Sequence, residues 1–443
     1  MDTPIYDFLR KYSGTDTLRC HMPGHKGRGV TKDMQRLCEL DITEIAGADS
    51  LFEADGIIRK SERNMARLYG TAGTFYSAGG STLCIQAMLA AMKSEGRTVV
   101  AVRNVHRAFL NAAALLDLDI EWVMPHYTDG ILSGTVDISE AEEKLKSVKK
   151  PCLYITSPDY TGRMADIQGL AEMCRKHRAP LLVDNAHGAH LHFMPVSHHP
   201  IALGATMCCD SAHKMLPALT GAAMLHTSSR RYAKMLRQCM SLFASTSPSY
   251  LIMASLDLCN RYISEEIRND TVRALQYIKE LRESFSGRLV FADGDPFHIT
   301  VKAAESGYDG NSFADVLRKN KVECEYSDSS LVILLMSPFN VAEDYLRLCI
   351  ALEDAVASAE KCEKVHESFY LPLPEKVMSV RQAVFSPSKT IPVDEAEGCI
   401  CASVKVPCPP AVPIAVSGEV ISRECIDIFK RYGISEVIVV RKR

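Results

Sequence analysis

Residues 181–225 read LLVDNAHGAHLHFMPVSHHPIALGATMCCDSAHKMLPALTGAAML, and this stretch decides the fold. Its opening run, Leu181-Leu182-Val183, is typical of a buried strand, and Asp184 follows at the end of that strand. Lys214 comes thirty residues later and is preceded by His213. Ligands of open α/β sheets bind beyond the carboxyl ends of the strands. We therefore expect the acid and the lysine to lie at the same edge of a sheet.

A lysine and an acid in these places are the pair that pyridoxal phosphate (PLP) chemistry requires. The lysine carries the cofactor as a Schiff base, and the acid keeps the pyridine nitrogen protonated so that the ring accepts electrons. An ordinary surface lysine and a structural aspartate are the alternatives. Apolar residues and Pro217 follow Lys214, which argues against a surface position. We predict catalytic roles for Lys214 and Asp184.

A second candidate site lies nearer the N-terminus, where Gly79-Gly80-Ser81-Thr82 follows a predicted strand over Thr74–Ala78. A helix is predicted over Leu83–Lys93. Free N–H groups and the helix dipole both favour an anion bound at such a turn, and the hydroxyls of Ser81 and Thr82 add donors. The turn predicts a phosphate site, with a helix start that binds nothing as the alternative.

These motifs together resemble the ornithine/lysine/arginine decarboxylases of bacteria, a group within the aspartate-aminotransferase (type I) fold of PLP enzymes. Asp184–His190 reads Asp-x-Ala-His-Gly-Ala-His, and Ser211–Gly221 reads Ser-x-His-Lys-x-Leu-Pro-Ala-Leu-Thr-Gly. Further stretches similar to family signatures are Pro23–Gly27, Arg103–Arg107, Ser157–Gly162, Ser245–Tyr250, Ser379–Ala383 and Pro409–Glu419. The resemblance therefore covers the whole chain and indicates the short form of the family.

The resemblance implies an α/β fold with a PLP-dependent transferase-like major domain, a mostly parallel sheet and a smaller C-terminal α/β domain. Alternating strands and helices along the first half of the chain also favour a parallel sheet. We predict an N-terminal arm over residues 1–47, the PLP-binding domain over 48–285 and the small domain over 286–443. One long helix is expected over Tyr250–Phe285, and a strand of the small domain over Leu289–Phe291.

The resemblance also implies roles for individual side chains. His106 is expected to stack on the cofactor ring, although the residue alone reads equally as a helix cap or a core histidine. His213 is expected to contact the phosphate and to return a proton after carbon dioxide leaves, which makes it a third catalytic candidate. The residues expected to bind the cofactor are Ser81, Thr82, His106, Asp184, Ala186, His187, Ser211, His213, Lys214, Thr246 and Ser247.

The implied reaction is decarboxylation of arginine, lysine or ornithine to the corresponding amine, a di- or polyamine precursor. The loop with Thr246 and Ser247 reaches the phosphate of a neighbouring subunit in this family, which implies at least a homodimer with shared active sites. The sequence departs from the family pattern at three places, and the first two of them bear on the substrate. Asn185 replaces the glutamate usual in the family, and Ser50–Gly56 differs from the segment usual there. Ala222-Ala223, which follows the Thr-Gly pair, also differs somewhat from the family motif.

Composition excludes several classes of protein. The 443 residues are 47% hydrophobic and 24% charged, which is ordinary for a soluble globular protein with two or three domains. A net charge of −3 gives no reason to expect nucleic acid or a membrane surface as partner. The N-terminus lacks the pattern of a secretion signal, and apolar runs such as Leu331–Met336 are too short to span a bilayer. We expect a cytoplasmic protein.

Cysteine and histidine are the residue types that raise the question of a metal. The 16 cysteines include no Cys-x-x-Cys pair, and we interpret them as reduced core residues. Five histidines lie within thirteen residues: His187, His190, His192, His198 and His199. No carboxylate or thiolate stands at ligand spacing beside them, so we predict no metal site and place the last three at the surface.

Two other functions remain open. The first is a different PLP reaction on the same fold, such as transamination or lyase chemistry. An aminotransferase needs an arginine that clamps the substrate carboxylate, and Arg381 is the candidate. The second is a non-enzymatic relative that binds or regulates. The joint presence of Lys214, Asp184, Ser81 and Thr82 argues against it.

Overall fold

The computed structural model describes residues 1–128, 130–364, 370–371, 373–402 and 413–441. The chain divides into two compact units, each assembled from separate segments. The first unit comprises Met1–Ala91, Val183–Lys279 and Met336–Asp344, and the second comprises Met92–Leu182, Glu280–Leu335 and Tyr345–Arg443. Residues 409–412 of the C-terminal signature lie outside the described residues.

The strands within these ranges are, in chain order, β1 Gly73–Ser77, β2 Thr98–Val102, β3 Ile120–Val123, β4 His126–Tyr127, β5 Gly134–Thr135, β6 Pro151–Thr156, β7 Leu181–Asp184, β8 Met207–Asp210, β9 Ala223–Thr227, β10 His298–Lys302, β11 Tyr326–Ser327, β12 Leu331–Leu335, β13 Ser388–Pro392 and β14 Glu436–Val440.

The helices are α1 Pro4–Ser13, α2 Lys32–Leu40, α3 Ile57–Tyr69, α4 Gly80–Ser94, α5 Arg107–Leu116, α6 Ile138–Ser147, α7 Ile167–Lys176, α8 Ala212–Met215, α9 Arg230–Ala233, α10 Leu236–Ser241, α11 Tyr250–Glu265, α12 Ile267–Ser284, α13 Ala303–Ser306, α14 Gly310–Lys319, α15 Ala342–Ser358, α16 Val380–Val384 and α17 Arg423–Arg431. Short 3-10 turns lie at Leu51–Glu53, Ala189–Phe193 and Val393–Glu395. No helix in the described ranges is both long enough and apolar enough to span a membrane.

The central sheet has seven strands in the order β1-β9-β8-β7-β6-β2-β3. β2 is parallel to both of its neighbours, β3 and β6, as the alternation of strands and helices predicts. β9 returns antiparallel to both β8 and β1. The predicted α/β class with a mostly parallel sheet is confirmed. A separate antiparallel sheet has the order β10-β12-β11, and β13 pairs with β14.

Helices of the first unit bury one apolar face each. α3 buries Ile58, Met65 and Tyr69, and it ends where Gly70 adopts a left-handed conformation with φ 65°. The carboxylate of Asp257 on α11 accepts the N–H groups of Ile5 and Tyr6 at 2.8 and 3.0 Å. A carboxylate at a helix N-terminus satisfies donors that have no partner inside the helix. Asp257 therefore fastens α1 to α11.

The second unit contains a buried ion pair between two of the family-like stretches. Both terminal guanidinium nitrogens of Arg103, Nη1 and Nη2, donate to the carboxylate of Glu419, at 2.6 and 2.7 Å. Arg103 is fully buried and lies at the end of β2, while Glu419 belongs to the C-terminal stretch. A two-pronged guanidinium–carboxylate pair is geometrically specific, so it fixes the C-terminal segment on β2.

Two predicted elements of the chain are wrong. The expected long helix over Tyr250–Phe285 is two helices, because the backbone at Glu266 leaves the helical region with φ −127°. The expected strand over Leu289–Phe291 is absent. A turn follows α12 there, in which Leu289 N–H bonds the Phe285 carbonyl, and Phe291 forms a single bridge to Val301.

Candidate active site

Asp184 occupies the last position of β7 and is 2% exposed. Its Oδ1 accepts the N–H of Ala186 at 3.2 Å and the thiol of Cys209 at 3.5 Å. Cys209 lies on β8, so the carboxylate is held from two neighbouring chain segments. These contacts give the predicted acid a fixed orientation at the carboxyl end of the sheet.

Lys214 lies in α8, the short helix that follows β8. Its Nζ is 2.8 Å from Nε2 of His187, a residue three positions beyond Asp184. His187 is buried, whereas Lys214 is half-buried. The structure therefore places the predicted lysine in contact with His187, a histidine for which the sequence motif indicated no specific partner.

Hydrogen bonds stabilise the glycine-rich turn at the start of α4. Ser77 Oγ accepts the Gly79 N–H and donates to the Gly80 carbonyl. Gly80 takes the left-handed conformation with φ 67°, and its N–H bonds the carbonyl of Gly221 at 2.8 Å. This last bond ties the start of α4 to the Thr-Gly turn that ends the lysine motif. Ser81 and Thr82 then occupy the first turn, where N–H groups lack partners within the helix.

Ser211 caps the same short helix, and His213 lies within it. Nδ1 of His213 donates to the Ala222 carbonyl at 2.9 Å, which sets the orientation of the ring. Ser211 is buried at the N-cap of α8. Thr246 and Ser247 lie exposed in the loop before α11. Their predicted role in a neighbouring subunit stays a prediction.

His106 lies in the second unit and is the N-cap of α5, where Nδ1 accepts the N–H of Ala108 at 3.1 Å. This contact corresponds to the helix-cap alternative that the residue alone allowed. Its predicted stacking on a cofactor ring stays a prediction.

Arg381, the candidate clamp of an aminotransferase, bonds backbone carbonyls instead. Its Nη1 donates to the carbonyls of Ala114 and Leu115 at 3.2 and 2.9 Å, at the end of α5. Basic side chains commonly bond the last carbonyls of a helix in this way. The geometry gives no support to a carboxylate clamp at Arg381.

Sequence reasoning missed the partner of Asn185. Its side-chain amide donates to Oδ1 of Asp210 at 2.7 Å, and both residues are fully buried. Asp184 ends β7 and Asn185 follows it, while Asp210 ends β8 and leads into Ser211 and α8. The Asn185–Asp210 bond therefore clamps the two strand ends that carry the candidate catalytic pair.

The interpretation of the histidine cluster is partly wrong. His199 is fully buried, not at the surface, and β8 places Cys208 and Asp210 beside it. The sequence distance between the histidines and β8 hid this proximity. Cys208 and Asp210 stand two positions apart on a strand, which puts them on one face, and that spacing was the available signal.

The residues of the first unit fit the requirements of PLP as a set. Lys214 offers an amine with a histidine in contact, and Asp184 offers a fixed, buried carboxylate. The start of α4 offers N–H groups and two hydroxyls to a phosphate, beside the turn that the Gly80–Gly221 bond holds. An amine, an acid and an anion site are the three groups by which a protein holds this cofactor.

Comparison with known proteins gives the family. The model described as "Orn/Lys/Arg decarboxylase, major domain" matches residues 3–304, and "Orn/Lys/Arg decarboxylase, C-terminal domain" matches residues 363–433. An arginine decarboxylase of Bacillus subtilis is 27% identical over 459 residues, an alignment that covers 97% of this chain and 93% of the relative.

Solved structures agree on the fold. The lysine decarboxylase LdcF of Francisella novicida matches with a TM-score of 0.81 at 18% identity, covering 98% of this chain and 79% of that one. A structure of SPT with PLP matches with a TM-score of 0.55 at 12% identity, covering 70% and 80%. Because the two models of the Orn/Lys/Arg decarboxylase family together match most of this chain, the chain belongs to that family.

Proposed function

We propose that this decarboxylase of basic amino acids acts on arginine, with PLP anchored by Lys214 and oriented by Asp184. The contact of Lys214 with His187, together with the fixed carboxylate of Asp184, carries the proposal. Arginine is the first choice among the three substrates because a relative named arginine decarboxylase aligns with 97% of the chain.

When bound, PLP supplies an electron sink for the electron pair that carbon dioxide leaves behind. Lys214 Nζ is the covalent anchor, and an amine must be neutral to serve as a nucleophile. His187 Nε2, at 2.8 Å, accepts a proton from Nζ and later returns it. The pair thus holds and moves one proton between two named atoms.

Asp184 holds the ring nitrogen in its protonated form. The Ala186 N–H and the Cys209 thiol engage Oδ1, so the carboxylate does not need to reorient during the reaction. Its burial removes competing water and strengthens the interaction with a cationic ring nitrogen.

The hydroxyls and N–H groups of Ser81 and Thr82 would bind the phosphate of PLP, assisted by Ser211 and His213. Ala186 and His106 would contact the ring, and His213 would supply the proton that the product amine needs. Thr246 and Ser247 reach the site of a second chain, which makes the enzyme a homodimer or a larger homo-oligomer. These assignments rest on the positions in the family motifs.

The product from arginine is agmatine, so we place the enzyme in polyamine synthesis in the cytoplasm. Asn185 and the Ser50–Gly56 segment depart from the family pattern, and both are expected to affect the shape of the substrate site.

A carbon dioxide release assay tests the proposal. Purified enzyme with added PLP is supplied with carboxyl-labelled arginine, lysine or ornithine. We expect release from arginine at a kcat/KM at least about tenfold above the other two. Release from lysine or ornithine instead would keep the reaction class and overturn the substrate. No release from any of the three would overturn the decarboxylase proposal.

A further inference from the structure

A second cluster of chemically active side chains lies on the opposite face of β8 from Asp184. Cys208 pairs with His226 of the antiparallel strand β9, and Asp210 stands two positions along on the same face. Cys209, the residue between them, faces Asp184. Cys208, Asp210 and His226 are fully buried.

His199 completes the cluster from the loop before β8. Its Nε2 lies 3.0 Å from Oδ2 of Asp210 and 3.8 Å from Sγ of Cys208. Nε2 of His226 lies 3.3 Å from the same Oδ2. Sγ of Cys208 lies 3.9 Å from Oδ1 of Asp210. Two imidazole nitrogens therefore meet one carboxylate oxygen of Asp210 in the core, and the thiol lies beside the other.

These separations match those of ligands around one metal ion. Zinc takes sulfur at roughly 2.3 Å and nitrogen or oxygen at roughly 2.0–2.2 Å, so ligand atoms in a tetrahedron stand roughly 3.3–3.6 Å apart. The observed separations of 3.0, 3.3 and 3.8 Å bracket that range. Two nitrogens, one sulfur and one oxygen are also a donor set that suits zinc.

Neighbouring groups orient the ligands as outer partners do in metal sites. Nδ1 of His226 is hydrogen-bonded to Oγ1 of Thr74 at 2.9 Å, which leaves Nε2 pointing toward Asp210. Nε2 itself is buried and lies 3.3 Å from Oδ2 of Asp210. The amide of Asn185 holds the other oxygen of Asp210. Such contacts fix the tautomer and the ring direction of metal-bound histidines.

Charge balance also favours a cation. A divalent ion with one thiolate, one carboxylate and two neutral imidazoles gives zero net charge. A site without charge is the least costly arrangement for this depth in the core.

We propose that one zinc ion is bound by His199, Cys208, Asp210 and His226. The site is structural and joins β8 to β9, on the face of β8 opposite Asp184. All four ligand positions are protein atoms, which leaves no open position for water or substrate, as expected of a structural rather than a catalytic zinc. Because the ligands are buried, the ion enters during folding and stays in the folded enzyme during dialysis against a chelator.

The test is the metal content of the full-length enzyme, purified after growth with zinc and dialysed against EDTA. We expect about one zinc ion per chain, and less than about a tenth in Cys208→Ser. Cys152→Ser is the matched control, because Cys152 is also a buried strand thiol, and its thiol bonds the backbone carbonyl of Thr98. The control retains its zinc. Zinc that persists in Cys208→Ser would overturn the proposal.

A measurement on the wild type alone covers the case in which Cys208→Ser does not fold. Enzyme produced with cobalt is expected to show the intense tetrahedral d–d bands of Co²⁺ and a thiolate-to-cobalt charge-transfer band. Wild-type enzyme that contains no stoichiometric metal and shows neither band would overturn the proposal. The cluster would then be a metal-free ion pair of Asp210 with histidine.

Discussion

The two faces of β8 carry different chemistry, although the strand has four residues and successive side chains point to opposite faces. Cys209 faces the carboxylate of Asp184. Asp184 belongs to the candidate catalytic site, together with the contacting pair of Lys214 and His187. Cys208 and Asp210 face two buried histidines, His199 and His226. The difference follows from the period of two in a strand, which separates neighbours in sequence onto opposite sides. Each face therefore needs its own test.

Replacement of Lys214 should have the largest effect. Lys214→Ala removes the proposed anchor, and we expect kcat/KM with arginine to fall by roughly 10³-fold or more. The visible absorption of lysine-linked PLP should disappear as well. The thermal midpoint without cofactor should stay close to the wild type, since the side chain is half-buried. Retention of both activity and colour would contradict the assigned role of Lys214.

Replacement of Asp184 should rank second. Asp184→Asn keeps the size and one acceptor but removes the charge opposite the ring nitrogen, so we expect kcat to fall by roughly 10²–10³-fold. Because Asn still binds the Ala186 N–H, the apoprotein should fold normally. A near-normal kcat would show that another group protonates the ring.

The position of Asp184 at a strand end and most elements were predictable from sequence, because each rests on a local pattern. Asp184 ends an apolar run, and Lys214 lies in a distinctive motif. The break at Glu266 was not predictable, since no proline or glycine marks it. The approach of Cys208 and Asp210 to His199 and His226 was also missed, because the β8–β9 register and a loop create it.

The Asn185–Asp210 clamp connects the two faces and should respond to added charge. Asn185→Asp would place a second carboxylate at the 2.7 Å contact with Asp210, and we expect a loss of about 3 kcal/mol in the free energy of unfolding. Asn185→Ala only removes the donor and should cost about 1–2 kcal/mol. Urea unfolding compares the two variants. Equal losses would contradict the charge argument.

Asp257 offers a buried aspartate without histidine neighbours, in contrast to Asp210. Burial raises the pKa of Asp257 to about 6, against hydrogen bonds from Ser61 and from the N–H groups of Tyr6 and Ile5. Burial also opposes ionisation of Asp210, but His199 and His226 outweigh it and hold the pKa of Asp210 below its ordinary value. The charges around a buried carboxylate thus decide the direction of its shift.

This contrast predicts a pH dependence of stability. A raised pKa means that folded Asp257 binds its proton more tightly than the unfolded chain does, so its contribution is complete below pH ~4 and is lost as pH rises through about 6. Wild type should therefore lose about 2 kcal/mol relative to Asp257→Asn between those pH values. Urea unfolding at several pH values measures this difference. Parallel pH profiles of the two proteins would contradict the shift.

Cys209 should show the smallest effect and the clearest contrast with Cys208. Cys209→Ala removes one of two contacts to Asp184 Oδ1, and we expect kcat to fall by roughly two- to tenfold. Metal content should not change, whereas Cys208→Ser should lower it. A loss of metal in Cys209→Ala would show that the two faces are not independent.

The most direct test of the central claim is to locate PLP on the chain. Purified enzyme is reduced with borohydride, which makes the link to a lysine permanent, and its peptides are weighed by mass spectrometry. We predict that the mass of reduced PLP lies on the peptide containing Lys214 and is absent from unreduced enzyme. Unmodified Lys214 in active enzyme, or PLP linked to another lysine, would contradict the account.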